Sequence, residues 1–348
     1  MSQIFYSKNK QFKQILLNIK IDNITNDLLV KNYLQKVIEQ QEYYINTYNW
    51  VLEYVLQKST KQINQISLLD FGCGNGMFTL FAKYCGFGKV YGCDFNENFV
   101  AAARLLSIEL NIEVDDWFVC NEDELFNTCN TLKLDVIVGT DVIEHIYNLN
   151  VFYKNISLLN PIMITAFTTA SVNENYFKRK SLYKLMQQDE YVGSNLLEAT
   201  SKDEFAGMAY LEIRKKIITK CFPNLTMEQV CQLSVATRGL RKDDIELFVK
   251  NYFRNGNISS IHSNKHNTCD PITGNFTERI LSINEYRKLY TKNSFNLTVV
   301  SGFYATEGKA MKSLFQKLLN KMIVLLNNSF LSRTISPLIL LIGYPKNK

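Results

Sequence analysis

Apolar and aromatic side chains recur every three or four residues across residues 30–57, which predicts one or two helices there. From Ile66 the pattern changes to short apolar runs that alternate with helical windows. Such runs are typical of strands in a parallel sheet with crossover helices. The predicted strands are residues 66–71, 88–93, 114–119, 134–139 and 161–167, and the predicted helices between them are 76–86, 96–110, 122–130 and 147–158.

The alternation stops across residues 171–281, which are mostly helical, with the best helical windows at 195–219 and 226–254. The earlier pattern then resumes as a helix at 282–292, a strand at 296–304, a helix at 308–327 and a strand at 336–343. We therefore predict an α/β fold with a Rossmann-like, doubly wound, mostly parallel seven-stranded sheet and helices on both faces. A helical insert after the fifth strand interrupts this sheet in the sequence.

The chain divides by this pattern into three parts. We expect an N-terminal helical segment at 1–62, a sheet domain built from 63–170 and 282–348, and the helical insert at 171–281. The insert follows the fifth strand, so its ends emerge at the carboxyl edge of the sheet, where open sheets bind ligands. This position predicts that the insert is a substrate-binding lid.

Composition excludes several classes of protein. The 348 residues are 46% hydrophobic with a formal net charge of +6, which excludes a largely disordered chain. The eight cysteines form no CxxC pair and no apolar run is long enough to span a membrane, so we expect a cytoplasmic protein with reduced thiols. Charge is uneven, with 5 basic and 13 acidic residues in 63–170 but 10 basic and 2 acidic residues in 282–348. This distribution argues against one continuous basic face for nucleic acid.

The sharpest local signal is a glycine loop that follows the first predicted strand. Gly72, Gly74 and Gly76 alternate between that strand and a helix, which allows a tight turn and a close approach of a ligand to the backbone. The spacing is GxGxG, because Met77 stands where a dinucleotide-binding GxGxxG motif needs its third glycine. Asp94 ends the next strand, where a carboxylate can accept both hydroxyls of a ribose. The alternative is a turn without a ligand, with Asp94 capping a helix.

Four motifs in order along the chain resemble those of class I S-adenosylmethionine-dependent methyltransferases. The residues that carry the resemblance are Asp70, Gly72, Cys73, Gly74 and Gly76 in the first motif, Asp94 and Phe95 in the second, Asn121 and Glu122 in the third, and Asp141 and His145 in the fourth. Asn121 departs from the pattern, since the family often has Asp there. The fourth motif, within residues 135–145, is similar to the branch that includes the ubiquinone-pathway O-methyltransferases. The resemblance covers residues 63–167 well and 282–348 in topology only.

The resemblance implies S-adenosyl-L-methionine as cofactor, held by the motif residues from Asp70 to Asp141. It also implies a methyltransferase, and by analogy with the branch we expect O-methylation of a small or carrier-linked metabolite, with the insert as the acceptor-binding lid. One alternative is an RNA methyltransferase that uses basic residues of the insert, namely Lys178, Arg179, Lys180, Arg214, Lys215, Lys216, Arg241 and Lys242. The other is a non-catalytic adaptor that retains the fold.

His145 is the first candidate for a catalytic base. It follows the fourth strand, where the resemblance implies the methionine portion of the cofactor, and neutral imidazole is available at pH 7. The alternative is a histidine that caps or packs at the start of the 147–158 helix.

A second polar cluster lies at the end of the insert, with His262, His266, Cys269, Asp270, Glu278 and Arg279. We expect His266, Asp270 and Arg279 to contact the acceptor, since Asp270-Pro271 favours a turn and Arg279 offers a forked donor to an anion. The spacing of His262, His266 and Cys269 also suggests zinc, but no second ligand pair supports it, so we expect no metal. A solvated surface loop is the remaining alternative.

The helix at 308–327 carries apolar residues on one face and lysines largely elsewhere. The apolar face comprises Met311, Leu314, Phe315, Leu318, Leu319, Met322 and Leu326. We expect this face to pack against the sheet, with the lysines in solvent. Weak peripheral contact with an anionic membrane is the alternative.

Overall fold

The computed structural model describes residues 5–193, 205–255, 266–306 and 310–346. Seven strands form one sheet: β1 (Ser67–Phe71), β2 (Lys89–Asp94), β3 (Asp116–Val119), β4 (Val136–Thr140), β5 (Ile164–Thr169), β6 (Phe295–Ser301) and β7 (Ile339–Pro345). The helices of the described residues, apart from short 3-10 turns, are α1 (Tyr6–Leu16), α2 (Leu28–Glu39), α3 (Gln41–Lys58), α4 (Met77–Cys85), α5 (Glu97–Glu109), α6 (Leu125–Cys129), α7 (Leu149–Leu159), α8 (Tyr176–Tyr191), α9 (Tyr210–Cys221), α10 (Met227–Ala236), α11 (Lys242–Asn255), α12 (Ile283–Lys292), α13 (Ala310–Leu325) and α14 (Phe330–Ile335).

The strand order of the sheet is β3-β2-β1-β4-β5-β7-β6. Strands β1 to β5 pair in parallel, and β7 runs antiparallel to both of its neighbours, β5 and β6. The predicted seven-stranded α/β sheet is confirmed, and it is mixed rather than purely parallel. Because β6 runs in the same direction as β5, the carboxyl ends of every strand except β7 lie at one edge of the sheet.

The described residues divide into two compact units. The first unit comprises the described residues of Met1–Ile143, Asn148–Asn175 and Ser282–Lys348, and the second comprises those of Glu144–Tyr147 and Tyr176–Leu281. The N-terminal helices therefore belong to the same unit as the sheet. The second unit holds α8 to α11 together with the short segment 144–147, which lies between β4 and α7 in the chain.

Aromatic side chains join the N-terminal helices to α4 in the core of the first unit. The ring of Phe12 lies 5.2 Å from that of Phe81, and Tyr48 lies 5.1 Å from Phe78, both edge to face. Edge-to-face pairs of this kind add to the stabilisation from apolar burial. This packing fixes α1 and α3 against the helix that begins at the glycine loop.

The second unit has an apolar core with a buried ion pair beside it. Arg214 is fully buried, and its Nη2 lies 2.5 Å from Glu190 Oε1, while its Nε donates to the carbonyl of Ser234 at 2.8 Å. Thr268 donates its hydroxyl to the same Glu190 carboxylate at 2.6 Å. Both charges are thus paired and hydrogen-bonded, as a buried ion pair requires.

The apolar face of α13 is exposed, so the prediction that it packs against the sheet is wrong. Met311, Leu314 and Phe315 are 85%, 70% and 60% exposed, and Ile323 is the buried apolar residue of this helix among those whose burial is described. The periodicity locates the face correctly but does not determine what covers it. Among the described residues, no helix has both the length and the apolar character that crossing a membrane requires.

Candidate active site

The glycine loop lies at the carboxyl end of β1 and leads directly into α4. Gly72, Gly74 and Gly76 all have positive φ angles of 73°, 53° and 79°. The backbone N–H of Gly72 donates to the carbonyl of Cys93 at 2.8 Å, which closes the turn against the end of β2. The loop therefore adopts a left-handed path that glycine accepts without the steric penalty that other residues incur.

Asp94 connects this loop to the helix that follows β2. Its Oδ2 accepts the backbone N–H of Gly74 at 2.9 Å, and its Oδ1 accepts the backbone N–H of Asn96 at 2.9 Å. The side chain is 7% exposed, and burial raises its pKa to about 6 against the opposing effect of these N–H donors. Asn96, not Asp94, caps α5. A carboxylate offers about four acceptor positions, so Asp94 retains acceptor capacity for a ligand hydroxyl beside its backbone donors.

Asp70 lies under the loop and is almost completely buried. Its Oδ2 accepts the hydroxyl of Thr79 at 2.7 Å. Burial raises its pKa to about 7, the Thr79 hydrogen bond opposes this rise, and the charge of Asp94 adds to it. Two carboxyl groups of raised pKa thus lie at the carboxyl edge of neighbouring strands, a clustering that is common at functional sites.

The sequence analysis did not assign two tyrosines from the N-terminal helices to this site. A Cβ atom on Gly74 would lie 3.3 Å from Cε1 of Tyr33, so the Tyr33 ring of α2 covers the loop. Burial, and after it the charges of Tyr44, Asp141, Asp94 and Asp70, raise the pKa of Tyr33. Burial and then Asp141 raise the pKa of Tyr44 on α3 to about 12. Both phenols therefore stay protonated near neutral pH and can donate hydrogen bonds.

Asn75, within the glycine loop, is a third residue that the sequence analysis missed. Its side chain is 1% exposed, and neither its Oδ1 nor its Nδ2 has a hydrogen-bond partner among the described residues. A buried amide without partners is unfavourable unless a bound molecule supplies them. Its presence marks the loop as a place where a polar ligand would be stabilised.

The remaining residues predicted for the cofactor lie around the same edge of the sheet. Phe95 is 47% exposed directly after Asp94, while Cys73 is buried, and burial raises the pKa of its thiol. Asp141 is exposed after β4 with φ +52°, and its N–H donates to the carbonyl and the hydroxyl of Thr168, both at 3.2 Å.

Asn121 and Glu122 make local contacts beside β3. The Oδ1 of Asn121 accepts the N–H groups of Asp123 and Glu124, which forms a turn. The Oε1 of Glu122 accepts the N–H of Asn148, the residue that caps α7. The side chain of Asn121 therefore stabilises a local turn after β3.

His145 lies in the second unit, where its ring is oriented by a backbone carbonyl. Its Nδ1 is 2.8 Å from the carbonyl oxygen of Phe276, and its own carbonyl accepts the N–H of Phe276 at 3.1 Å. A carbonyl only accepts, so Nδ1 carries a hydrogen, and the neutral form of this ring has its lone pair on Nε2. The alternative in which His145 caps the helix does not apply, because Asn148 caps α7.

Arg279 forms hydrogen bonds with the segment 144–147, which contains His145. Its Nη2 donates to the carbonyl of Tyr147 at 2.6 Å, its N–H donates to the carbonyl of Glu144 at 2.9 Å, and its guanidinium lies 3.8 Å from the ring centre of Phe276. The structure therefore brings Arg279 and His145 together through Phe276.

The other residues of the predicted acceptor loop are placed differently. His266 is exposed and stacks on Tyr183 with ring centres 4.1 Å apart, and Asp270 is 5% exposed and accepts the N–H of Ile272 in a turn. His262 lies outside the described residues. Within the described ranges, no three His, Cys, Asp or Glu side chains are arranged to hold a metal ion.

Comparisons with known proteins relate this chain to methyltransferases. Residues 41–184 match the family model described as a methyltransferase domain. The ubiquinone biosynthesis O-methyltransferase of Pelagibacter ubique is 27% identical over 133 residues, 37% of this chain and 53% of that relative. The ribosomal protein L11 methyltransferase of Paraburkholderia xenovorans is 36% identical over 73 residues, 21% of this chain and 22% of that relative. This chain thus spans about half the length of the first relative and less of the second.

Among solved structures, the magnesium protoporphyrin IX methyltransferase of Synechocystis with bound S-adenosylhomocysteine has a TM-score of 0.39 and 11% identity, over 90% of this chain and 87% of that one. The family match, on the part of the chain that holds the glycine loop and Asp94, identifies the fold. The chain carries a class I S-adenosylmethionine-dependent methyltransferase domain that resembles the ubiquinone-pathway O-methyltransferases.

Proposed function

We propose that this chain transfers a methyl group from S-adenosylmethionine to a hydroxyl group of a small or carrier-linked acceptor. The observation that carries the proposal is the buried carboxylate of Asp94. It accepts hydrogen bonds from the backbone N–H of Gly74 in the glycine loop and from that of Asn96 at the start of α5. Such a carboxylate at the carboxyl edge of a parallel sheet is suited to accept the hydroxyls of a ribose.

The residues around the loop fit this cofactor. Asp94 would accept the ribose hydroxyls, half-exposed Phe95 offers an apolar ring to the adenine, and the unpartnered amide of Asn75 supplies polar atoms within the loop. The protonated phenol of Tyr33, which covers Gly74, offers a further donor. When bound, S-adenosylmethionine supplies a methyl group on a positively charged sulfur, which needs orientation more than activation.

His145 is suited to act as the base. The carbonyl of Phe276 fixes the tautomer that leaves the lone pair on Nε2, and Arg279 holds the neighbouring backbone. When the acceptor oxygen gains the methyl group, the proton that this hydroxyl loses passes to Nε2. We therefore assign Arg279 to positioning, and we retain His266 and Asp270 as candidates for acceptor contact.

A groove of about 830 Å³ in the second unit supports an acceptor with an anionic portion. Its lining includes the apolar residues Ile217 and Val230, the lysines Lys215, Lys216, Lys220 and Lys242, and one acidic residue, Glu212, which pairs with Lys215 at 2.7 Å. A phosphate-bearing carrier arm has the matching combination of charge and apolar length. RNA is less well supported, because Arg214 is fully buried against Glu190 and so is not available to phosphates.

The test is transfer of label from S-adenosylmethionine with a radioactive methyl group into a cell extract separated into small molecules, carrier-linked molecules, RNA and protein. The wild-type protein is compared with Asp94→Ala and with the surface control Asp116→Ala. We expect wild type and the Asp116 variant to place label in the small-molecule or carrier-linked fraction, in a product that carries an O-methyl group. We expect no such label with the Asp94 variant.

Other outcomes contradict the proposal in distinguishable ways. Label in RNA that ribonuclease removes would favour the RNA methyltransferase, and label in protein would assign a protein acceptor. Bound cofactor without transfer to any fraction would favour a non-catalytic adaptor.

A further inference from the structure

The first unit exposes apolar side chains on the neighbouring helices α13 and α14. Six residues of α13 fall on one side of the helix by their spacing, and two residues of α14 extend the surface. We name this the α13 surface, and it comprises Met311, Leu314, Phe315, Leu318, Met322, Leu325, Phe330 and Leu331, each between 42% and 85% exposed. Exposed apolar patches of this extent mark interaction sites in proteins.

The opposite side of α13 packs against and hydrogen-bonds to other residues of the first unit, so the helix does not rotate to bury this surface. Ile323 is 5% exposed, and the side-chain amide of Asn320 bonds both the N–H and the carbonyl of Tyr304, at 2.8 and 2.9 Å. The hydroxyl of Ser332 on α14 donates to the carbonyl of Ile323 at 3.2 Å, which joins the two helices. Because these contacts hold the opposite side of α13, its apolar side faces solvent.

The charged residues of the segment that carries this surface have one sign. Lys317 and Lys321 are exposed on α13, and the sequence contains no Asp or Glu from residue 308 to residue 348. Lysine is depleted at protein–protein interfaces, whereas an apolar helix face with lysine flanks is suited to an anionic membrane interface. Charge complementarity thus favours anionic lipid over a protein partner.

The helices α13 and α14 lie in the connection between β6 and β7, and the two ends of this connection can be located relative to the candidate active site. Antiparallel neighbours such as β6 and β7 need only a two-residue turn between them, but here residues 302–338 connect them. The connection leaves β6 at Ser301 and enters β7 at Ile339, which also pairs with Thr169 at the carboxyl end of β5. It therefore starts and ends at the sheet edge that carries the glycine loop and Asp94.

We infer that the α13 surface docks the protein on an anionic lipid bilayer, with the apolar side chains at the headgroup boundary and the lysines against the headgroups. Docking at this sheet edge would give an acceptor dissolved in the membrane a short path to the methyltransferase domain. The docking itself does not depend on methyl transfer.

The experiment is co-sedimentation of the full chain, without cofactor, with vesicles of phosphatidylcholine and phosphatidylglycerol or of phosphatidylcholine alone. We expect binding to the anionic vesicles that weakens with salt, and little binding to the neutral ones. The double variant Phe315→Ser with Leu318→Ser should lose at least tenfold in affinity. Its matched control, Leu105→Ser with Ile108→Ser on α5, removes exposed apolar side chains elsewhere and should bind as wild type does.

The lysines are tested separately. Lys317→Gln and Lys321→Gln should each weaken binding to anionic vesicles about fivefold, the effect of one cation near a charged membrane surface. Lys154→Gln, exposed on α7, is the control and should have no effect. Unchanged circular dichroism would show that all these surface variants are folded.

Three results would overturn the inference. They are absence of binding by wild type, equal loss in the α5 control, and a dimer in sedimentation velocity that the Phe315 and Leu318 changes dissociate while vesicles remain unbound. The last result would identify the α13 surface as an interface between two copies of the chain. Labelled S-adenosylmethionine binding, measured on the same variants, separates failure of docking from failure of the proposed function.

Discussion

Replacement of Gly76 by alanine tests whether the glycine loop is shaped as described. Gly76 precedes α4 with φ +79°, a left-handed conformation that disfavours alanine by about 1–2 kcal/mol. A Cβ atom there would also lie 2.7 Å from Cζ3 of Trp117 and 2.9 Å from Cβ of Ala103. Overpacking of this kind costs about 1–3 kcal/mol. Together these terms predict that Gly76→Ala lowers the free energy of unfolding by about 2–5 kcal/mol.

Gly86→Ala is the matched control, because Gly86 ends the same helix with φ +100° and a Cβ atom there would meet nothing within 4 Å. This variant should lose about 1–2 kcal/mol of unfolding free energy from the left-handed backbone conformation, without a further loss from steric overlap. The assay is urea unfolding followed by tryptophan fluorescence, which reports on the first unit because both tryptophans, Trp50 and Trp117, lie there. Equal losses for the two variants would refute the close packing of Trp117 on the loop.

Three further predictions concern charges and the candidate base. Lowering the pH from 7 to 5 should weaken S-adenosylhomocysteine binding about tenfold in calorimetry, because Asp94, with a pKa of about 6, must be ionised to accept the ribose hydroxyls; equal affinity at both pH values would contradict this. His145→Ala should lower turnover of the acceptor found by label transfer by about 100-fold or more without changing S-adenosylhomocysteine affinity, and unchanged turnover would exclude His145 as the base. Glu190→Ala should destabilise the second unit by about 3–5 kcal/mol, because it leaves the charge of Arg214 buried without its carboxylate partner. The control Glu212→Ala removes the surface ion pair with Lys215 and should destabilise the unit by less than about 1 kcal/mol. Amide hydrogen exchange across α8 to α10 measures the difference, and equal protection in the two variants would refute it.

Local sequence patterns predicted the strands well because most strands of this sheet are buried on both faces. All five residues of β1 and all six of β5 are buried, which produces the continuous apolar runs by which they were located. The proximity of Gly72, Gly74 and Asp94 could be predicted for a similar reason, since these residues lie within one strand-turn-helix unit and its neighbour.

Features that depend on distant contacts were not predicted. Tyr33 covers the glycine loop only because α2 packs there, and no local pattern connects it with Gly74. Helix α8 was missed as a separate element because its apolar residues are few, with Leu182 and Met186 as its buried ones. The window 226–254 is two helices, because the chain turns at Gly239 with φ +75°.

Calorimetric titration with S-adenosylmethionine and S-adenosylhomocysteine, on wild type, Asp94→Ala and Asp116→Ala side by side, tests the central claim most directly. The geometry of the loop predicts binding by wild type and the Asp116 variant, and loss of at least tenfold with Asp94→Ala, since each charge-assisted hydrogen bond is worth about 1.5–3 kcal/mol. Absence of binding by folded wild type, or equal affinity in the Asp94 variant, would show that the loop and its carboxylate are structural and that the proposed cofactor site is wrong.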